Sequence, residues 1–267
     1  MNYRLLALDL DGTLTNSQKI ITPKTRETLL EAQRQGLRLV LASGRPTEGI
    51  LHLAEELQMQ EYGGFVLAFN GARVLDLAAG EILWQQTLPP ERIPVIAGLD
   101  KQYGVGVLTY LDGTVLTETP EDPYIGIECR VNGIPCRRAE DFAAAVTGPV
   151  PKCLMTGDGD HMAVIEPLIR EALPDLSVYR SEPYFLEIMP KGVDKARTLE
   201  QLLRHLGLTR QQLAACGDGF NDVSMVAFAG LGVAMANANP AVLEAADAVT
   251  LSNDEDGVAE AVRRYML

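Results

Sequence analysis

The chain has 267 residues, of which 47% are hydrophobic and 22% charged, and this composition excludes a disordered protein. The length fits one large α/β domain or, as we expect, a core that carries an inserted second domain. The formal net charge of −13 excludes a general affinity for nucleic acids or acidic membrane surfaces, because no cluster of basic residues reverses it locally.

We can predict the cellular compartment from the cysteines, the histidines and the lengths of the apolar segments. The four cysteines include no Cys-x-x-Cys pair and the three histidines are scattered, so we expect no structural zinc and a reducing compartment, the cytoplasm. No segment approaches the roughly 20 apolar residues of a membrane helix, and the apolar N-terminal run meets Asp9 before a secretory segment is complete. We expect a soluble protein without nucleic-acid or membrane partners, and a homodimer is left open.

The first part of the chain alternates strands and helices. Continuous apolar runs predict strands that are buried on both faces, as in parallel sheets. Thr22 and Pro23 are typical of a helix start, and Gly36 of a helix end. The predicted elements are a strand over 3–8, a helix from 23 to 35, a strand over 37–42, a helix around 50–57 and a strand over 65–69.

The middle of the chain has a different residue pattern. Alternating residues around Ala79-Gly80 predict a β-hairpin over 74–88. Residues 85–186 then mix helices with short strands, which is typical of an α+β insertion. Its predicted elements are a helix over 93–103, strands over 105–109 and 114–118, a Pro/Gly-rich stretch, a strand over 152–156, a helix over 162–173 and two further strands.

The alternation of strands and helices returns after Glu187. The predicted elements are a helix over 195–206, strands over 213–217 and 232–234, a helix over 221–229 and a last strand near Val249. The predicted fold is therefore α/β, a Rossmann-like parallel sheet core over 1–84 and 187–267, with an inserted α+β domain over 85–186. Ligands of such sheets bind at the carboxyl ends of the strands.

The first candidate motif, Asp9-Leu10-Asp11-Gly12-Thr13, ends the first strand. Alternate residues of an extended segment point to opposite faces, so both carboxylates can converge only if the chain bends at Asp11-Gly12. An acidic turn that caps a helix is the structural alternative. A calcium loop would need a third ligand and a distal Glu, and neither is present.

The second motif, Ser43-Gly44-Arg45, follows the second predicted strand. A hydroxyl and glycine amides at a helix start can bind an anion such as phosphate, because the unsatisfied N–H groups and the positive helix end face it. Serine-glycine is also a common loop sequence, so the motif alone does not decide between the two.

The third motif, Gly217-Asp218-Gly219-Phe220-Asn221-Asp222, follows another buried strand. Asp218 and Asp222 offer the hard oxygen ligands that Mg²⁺ prefers, and Asn221 could hold a phosphate oxygen. A tight acidic turn that caps the next helix is the structural alternative. Cys216, just before it, is expected to be a buried strand residue.

A helix start at Lys191-Gly192-Val193-Asp194-Lys195 offers two lysines that could neutralise crowded carboxylates and a phosphate. A solvated lysine at a helix end is the commoner role for any single lysine. Both roles therefore stay open for Lys191 and Lys195 on this segment alone.

In this order, the four motifs resemble those of the haloacid dehalogenase-like hydrolase superfamily, and the resemblance spans essentially the whole chain. The insertion is similar in place and size to the C2B cap of the Cof-type sugar phosphatases. In similar proteins the motif lysine opens a helix about 23 residues before the metal-binding aspartate. Lys195 precedes Asp218 by that interval and is preferred to Lys191, although Ala196 stands where the family usually has glycine.

The resemblance implies a phosphatase of small phosphate monoesters, sugar phosphates above all, that uses Mg²⁺ and an aspartyl-phosphate intermediate. The implied nucleophile is Asp9, and the implied general acid and base is Asp11, with a pKa raised by its acidic neighbours. The implied metal site consists of the side chains of Asp9 and Asp218, the carbonyl of Asp11, and Asp222 acting through bound waters or Lys195. The implied phosphate and substrate contacts are Leu10, Ser43, Gly44, Arg45, Lys195 and Asn221, with Asn70-Gly71 as further candidates.

Two other functions fit the same motifs. A phosphomutase would keep all four and return the phosphoryl group to a sugar. A regulator that binds sugar phosphates on a decayed scaffold is opposed by the presence of every catalytic position. The candidate substrate contacts in the cap cannot be separated from structural residues by spacing; they are Tyr103, Tyr110, Tyr124, Tyr179, Tyr184, Arg130, Arg137, Arg138 and Arg180. The expected partners are small phosphorylated metabolites.

Overall fold

Residues 3–267 are described by a computed structural model, in which the chain divides into a core unit and a second unit. The core unit combines the residues up to Trp84 with Asp194–Leu267, and the second unit is Gln85–Val193. The chain therefore enters the second unit once and leaves it once, and the core unit is built from two separate segments.

The first segment of the core unit supplies the central strand of its sheet. Helix α1 begins where predicted, because Thr22 Oγ1 accepts the amide of Thr25 at 3.2 Å and Pro23 occupies the first turn. The elements of this segment are β1 (Leu5–Leu8), α1 (Pro23–Arg34), β2 (Arg38–Ala42), α2 (Glu48–Glu56), β3 (Phe65–Ala68), β4 (Arg73–Asp76) and β5 (Glu81–Gln85).

The second unit is an α+β domain built on a six-stranded sheet. Its elements are α3 (Ile93–Tyr103), β6 (Gly106–Leu111), β7 (Thr114–Thr117), α4 (Pro123–Asn132), β8 (Cys136–Arg138), α5 (Phe142–Ala145), β9 (Cys153–Thr156), α6 (Gly159–Ala172), β10 (Leu176–Glu182) and β11 (Phe185–Pro190). The strand order is β10-β11-β9-β6-β7-β8. Apolar residues of α3 and α6 pack with β9 and β11 into one hydrophobic cluster.

The second segment of the core unit completes the parallel sheet. Its elements are α7 (Lys195–Leu206), β12 (Leu213–Gly217), α8 (Val223–Phe228), β13 (Leu231–Ala234), α9 (Pro240–Ala245), β14 (Ala248–Val249) and α10 (Gly257–Tyr265). The predicted helix over 221–229 is shorter, because a 3₁₀ turn over Phe220–Asp222 precedes α8.

The core sheet has the strand order β14-β13-β12-β1-β2-β3-β4-β5. Strands β14 to β3 run parallel and β4 is antiparallel to β3. Leu8 at the end of β1 pairs with Cys216 on one side and Leu41 on the other. The carboxyl ends of β1, β12 and β2 are thus neighbours, and the residues after them share one edge of the sheet.

Two sequence predictions can be compared with this architecture. The α/β fold class with an inserted α+β domain is confirmed. The chain leaves the second unit after Val193 instead of residue 186, because β11 pairs with β9 and β10 and so belongs to the second sheet. Among residues 3–267, no helix has both the length and the apolar character that a membrane crossing requires.

Candidate active site

Asp9 and Gly12 form the turn that follows β1. The Asp9 amide donates to the Cys216 carbonyl at 3.1 Å, which extends the pairing of β1 with β12 to the site itself. Gly12 has φ +88°, and a Cβ at this position would lie 2.3 Å from Asp218 Oδ2. Any other residue would clash there and strain the backbone, so the predicted bend at Asp11-Gly12 is confirmed and needs this glycine.

Three carboxylates meet at the ends of β1 and β12. Asp9, Asp218 and Asp222 each offer an oxygen, and these oxygens lie within 4.8 Å of one another. Asp222 Oδ2 accepts the amides of Asp218 at 3.1 Å and Gly219 at 2.9 Å, so this carboxylate mainly shapes the turn. Thr13 Oγ1 donates to Asp218 Oδ1 at 2.7 Å and orients it. Asp9 and Asp218 are therefore the better direct ligands for a cation.

Lys195 lies within this acidic cluster with a fully buried side chain. Its Nζ donates to Asp9 Oδ1 at 2.7 Å, to Asp222 Oδ1 at 2.7 Å and to the Ala42 carbonyl at 2.9 Å. These three acceptors match the three protons of an ammonium group. Lys191 is exposed and lies in the second unit, so the geometry favours Lys195 as the lysine of the site.

The cluster has more negative than positive charge. Burial and repulsion from Asp222 raise the pKa of Asp9 well above its ordinary value, although Lys195 opposes them. Burial lowers the pKa of Lys195, but Asp222 and Asp9 outweigh it and the net pKa is raised. Burial raises the pKa of Asp218 to about 6. One lysine does not balance three carboxylates, so the site fits a divalent cation.

Asp11 departs from the sequence prediction. Arg45 binds its carboxylate through two parallel hydrogen bonds, Nε to Oδ2 at 2.8 Å and Nη2 to Oδ1 at 2.6 Å. Lys19 Nζ also donates to Oδ1 at 2.8 Å. Burial raises the pKa of Asp11, but the hydrogen bonds and charges of Arg45 and then Lys19 outweigh it and lower the net pKa. The expected increase was wrong, because two cations, Arg45 and Lys19, bind the Asp11 carboxylate directly.

The predicted phosphate-binding residues lie after β2, β3 and β12. Ser43 is buried, and its Oγ accepts the Arg45 amide at 3.2 Å. The Asn70 amide donates to the Ser43 carbonyl at 2.8 Å, and Asn221 Nδ2 donates to Asn70 Oδ1 at 3.0 Å. A Cβ on Gly44 would lie 3.3 Å from the Asn70 side chain. The structure thus brings these five residues together.

Leu10, the remaining predicted contact, lies between the two aspartates of the first motif. Its side chain is buried, and its carbonyl accepts the amide of Thr15 at 2.9 Å. Leu10 therefore fixes the loop after β1 through its side chain and its carbonyl oxygen.

Two residues of the site were not predicted as members. Thr13 stands next to Gly12 in the first motif, and a hydroxyl inside a carboxylate-rich turn is a signal that could have identified it. Lys19 has no comparable signal, since its contact with Asp11 depends on a left-handed backbone conformation with φ 62°. Non-glycine residues rarely adopt this conformation, and sequence spacing does not predict it.

Several candidate substrate contacts of the second unit have structural partners inside that unit. Tyr110 donates to Glu128 at 2.5 Å, and Tyr124 stacks on Tyr184 with ring centroids 5.1 Å apart. Two arginines form ion pairs, Arg138 with Glu121 at 2.6 Å and Arg180 with Glu166 at 2.9 Å. These contacts stabilise the second unit and do not identify a substrate.

Comparison with known proteins gives the family. The model of the haloacid dehalogenase-like hydrolases matches residues 6–262. A haloacid dehalogenase-like hydrolase from Bacteroides thetaiotaomicron has a similar structure, with a TM-score of 0.95 and 48% identity over 98% of this chain and 99% of that one. A HAD subclass IIB sugar phosphatase gives a TM-score of 0.83 and 27% identity, over 98% of both chains.

A similar curated protein is the 5-amino-6-(5-phospho-D-ribitylamino)uracil phosphatase YcsE of Bacillus subtilis, which is 29% identical over 100% of this chain and 97% of its own length. The chain belongs to the haloacid dehalogenase-like hydrolase family. The predicted family is thereby confirmed, and with it the expectation of a hydrolase.

The crowding of the acidic cluster predicts how Asp218→Asn changes stability. Burial raises the pKa of Asp218 from 3.8 to about 6, so between these pH values the folded state binds more protons than the unfolded state, and stability is lost as pH rises through this window. In chelator at about pH 8, Asp218→Asn should therefore melt about 2–4 °C above wild type, the shift that roughly 1 kcal/mol produces in a chain of this size.

Thermal melts with and without Mg²⁺ measure this effect. The advantage of the variant should be smaller at about pH 5 than at about pH 8 and should disappear only below about pH 4, where Asp218 is protonated in the unfolded state as well. Added Mg²⁺ should raise the melting temperature of the wild type more than that of the variant, because the amide is the weaker ligand. A variant that melts below wild type in chelator at both pH values would contradict the charge crowding.

Proposed function

We propose that the protein is a Mg²⁺-dependent phosphatase that hydrolyses small phosphate monoesters through an aspartyl-phosphate on Asp9. The observation that carries the proposal is the arrangement of Asp9, Lys195 and Asp218 at the end of β1. A carboxylate fixed by a buried ammonium group, beside a second carboxylate within 4.8 Å, combines a nucleophile with a metal site.

In the first step, Asp9 attacks phosphorus and the bond to the leaving oxygen breaks. Lys195 holds Asp9 Oδ1 at 2.7 Å, which fixes the orientation of the carboxylate before substrate binds. Ser43, Asn221 and the amides of Leu10 and Gly44 are the proposed contacts of the transferring phosphoryl group. Asp11 gives a proton to the leaving alkoxide.

In the second step, water attacks the phosphorus of the aspartyl-phosphate and Asp11 takes the proton of that water. Because Arg45 and Lys19 lower its pKa, Asp11 is ready as a base and must first gain a proton to serve as the acid. Aryl phosphates need little protonation of their leaving group, so they should be turned over more readily than alkyl phosphates.

Mg²⁺ would be held by the side chains of Asp9 and Asp218 and the carbonyl of Asp11, with Asp222 supporting the site through its contacts with Lys195 and the turn amides. When bound, the ion neutralises negative charge on the phosphoryl oxygens. The excess of carboxylates over cations in the cluster supports this assignment.

The proposed substrates are small phosphorylated metabolites, with sugar phosphates as the first class to test. Similarity to a subclass IIB sugar phosphatase and to YcsE, whose named substrate carries a phosphorylated ribityl group, supports this choice. An acidic chain with formal net charge −13 opposes nucleic acids as substrates.

Phosphate release from 4-nitrophenyl phosphate and from a panel of sugar phosphates tests the proposal. We expect turnover with Mg²⁺, loss of turnover in excess chelator, and poor replacement by Ca²⁺, whose longer bonds and higher coordination number disturb the carboxylate geometry. Turnover that persists in chelator would contradict the metal assignment. Transfer of the phosphoryl group within a sugar without phosphate release would identify a phosphomutase, and binding without turnover would identify a regulator.

A further inference from the structure

Lys19 lies on a short turn between β1 and α1 that is held in one conformation. Asn16 Oδ1 accepts the amides of Gln18 at 3.0 Å and Ile20 at 3.2 Å, and the Lys19 amide donates to the Asn16 carbonyl at 2.9 Å. Ser17 donates to Asp254 through its amide at 2.8 Å and its hydroxyl at 2.5 Å. The turn is thereby connected to a distant part of the core unit.

The backbone of Lys19 is strained within this turn. Its φ of 62° lies in the left-handed region, which glycine or asparagine adopts more easily than lysine does. The side chain is 62% exposed, and its only described ion pair is with Asp11. An exposed ion pair contributes little to stability, so stability does not explain a lysine at this strained position.

The contacts of Asp11 distinguish its two oxygens. Oδ1 accepts hydrogen bonds from Arg45 Nη2 at 2.6 Å and from Lys19 Nζ at 2.8 Å, so both of its lone pairs are used. Oδ2 accepts only Arg45 Nε, at 2.8 Å, among the described contacts. One lone pair of Oδ2 therefore stays available.

We propose that Lys19 is a positioning residue that, together with Arg45, fixes the Asp11 carboxyl group so that Oδ2 exchanges protons with the reacting oxygens. Arg45 sets the plane of the carboxyl group, and Lys19 occupies the second lone pair of Oδ1. The proton leaves Oδ2 for the leaving oxygen as the P–O bond breaks, and Oδ2 takes a proton from the water that attacks the aspartyl-phosphate. The inference rests on the proposed phosphatase reaction.

Lys19→Gly is the matched variant, because it removes the ammonium group and keeps the left-handed backbone without strain. Lys19→Arg restores the cation. Lys24→Ala is the control, since Lys24 forms an exposed ion pair with Asp256 at 3.5 Å, apart from the acidic cluster. The substrates are 4-nitrophenyl phosphate, which has a good leaving group, and benzyl phosphate, which has a poor one.

Lys19→Gly should lower kcat for benzyl phosphate by about tenfold or more and kcat for 4-nitrophenyl phosphate by less than about twofold, with KM nearly unchanged for both, because the lost orientation of the Asp11 carboxyl group outweighs the easier protonation that removal of the Lys19 cation gives it. Lys19→Arg should recover most of the loss. Because a glycine accepts this backbone conformation, Lys19→Gly should melt at or above the wild-type temperature.

Equal losses on the two substrates, or a lowered melting temperature with no difference between the leaving groups, would overturn the positioning role and leave the phosphatase proposal intact. No benzyl phosphate effect in Lys19→Gly would do the same. Wild-type protein that releases phosphate from neither substrate would overturn the phosphatase proposal and this inference together.

Discussion

Asp9→Asn is expected to abolish phosphate release, lowering kcat by at least about four orders of magnitude, the scale seen when a nucleophile is removed. The amide nitrogen cannot accept the phosphoryl group, whereas the amide oxygen can keep the 2.7 Å hydrogen bond from Lys195. The fold should be unchanged, because the raised pKa of Asp9 means that burial already disfavours the charged carboxylate. Initial rates on 4-nitrophenyl phosphate measure the loss.

The control for this substitution is Asp175→Asn, which makes the same chemical change at an exposed ion pair with Arg92 in the second unit. It should retain wild-type turnover. Fluoroberyllate mimics a phosphoryl group on a carboxylate and should stabilise wild type in the presence of Mg²⁺, but not Asp9→Asn. Asp9→Asn activity within tenfold of wild type would exclude Asp9 as the nucleophile.

Lys195→Ala is expected to have the largest effect on stability. It leaves Asp9 and Asp222 buried without their cation, and breaking a buried ion pair in this way costs about 3–5 kcal/mol. Turnover should be lost as well, because the nucleophile loses the hydrogen bond that orients it. Urea denaturation followed by the fluorescence of Trp84, the one tryptophan of the chain, measures unfolding of the core unit.

The loss of stability in Lys195→Ala should depend on pH. In wild type the raised pKa of Lys195 means that its contribution is fully present at neutral and acidic pH. In Lys195→Ala, Asp9 loses the cation that lowers its pKa and binds a proton more readily in the folded state, so the variant gains stability as pH falls. The difference from wild type should therefore be smaller at about pH 5 than at about pH 8.

Lys191→Ala is the matched control, because Lys191 is exposed and close to Lys195 in the sequence. It should change neither the unfolding free energy nor the turnover. If Lys191→Ala were the inactive variant and Lys195→Ala the active one, the wrong lysine would have been assigned.

Sequence predicted the elements with strong local signals. Helix α7 begins at Lys195 as expected, since Asp194 caps it and its apolar residues recur with helical spacing. Strand β12 has the predicted bounds because it is a continuous apolar run. Helix α4 was missed inside a Pro/Gly-rich stretch, although Asp122-Pro123 is a start signal and Gly133 an end signal. The apolar periodicity of α4 is weak, and the start and end signals alone do not identify the helix.

In the candidate active site, too, some features could be predicted from the sequence and others could not. Asp9, Asp218 and Asp222 could be predicted as neighbours, because parallel strands place their carboxyl ends at one edge of the sheet. The charge state of Asp11 could not, since it depends on Arg45 from another loop and on the strained turn at Lys19. Contacts between side chains from separate loops are set by tertiary packing, which local spacing does not encode.

The central position of β1 has a consequence for synthesis on the ribosome. Its partner β12 pairs Leu213 with Leu5, and the ribosome needs on the order of ten seconds to synthesise the chain between Gln85 and Leu213 at about 5–20 residues per second. During that time one edge of β1 lacks its neighbour, whereas Gln85–Val193 has all of its strands and can fold first. The nascent core therefore has an unpaired apolar strand edge during this interval, and its tendency to aggregate is greatest then.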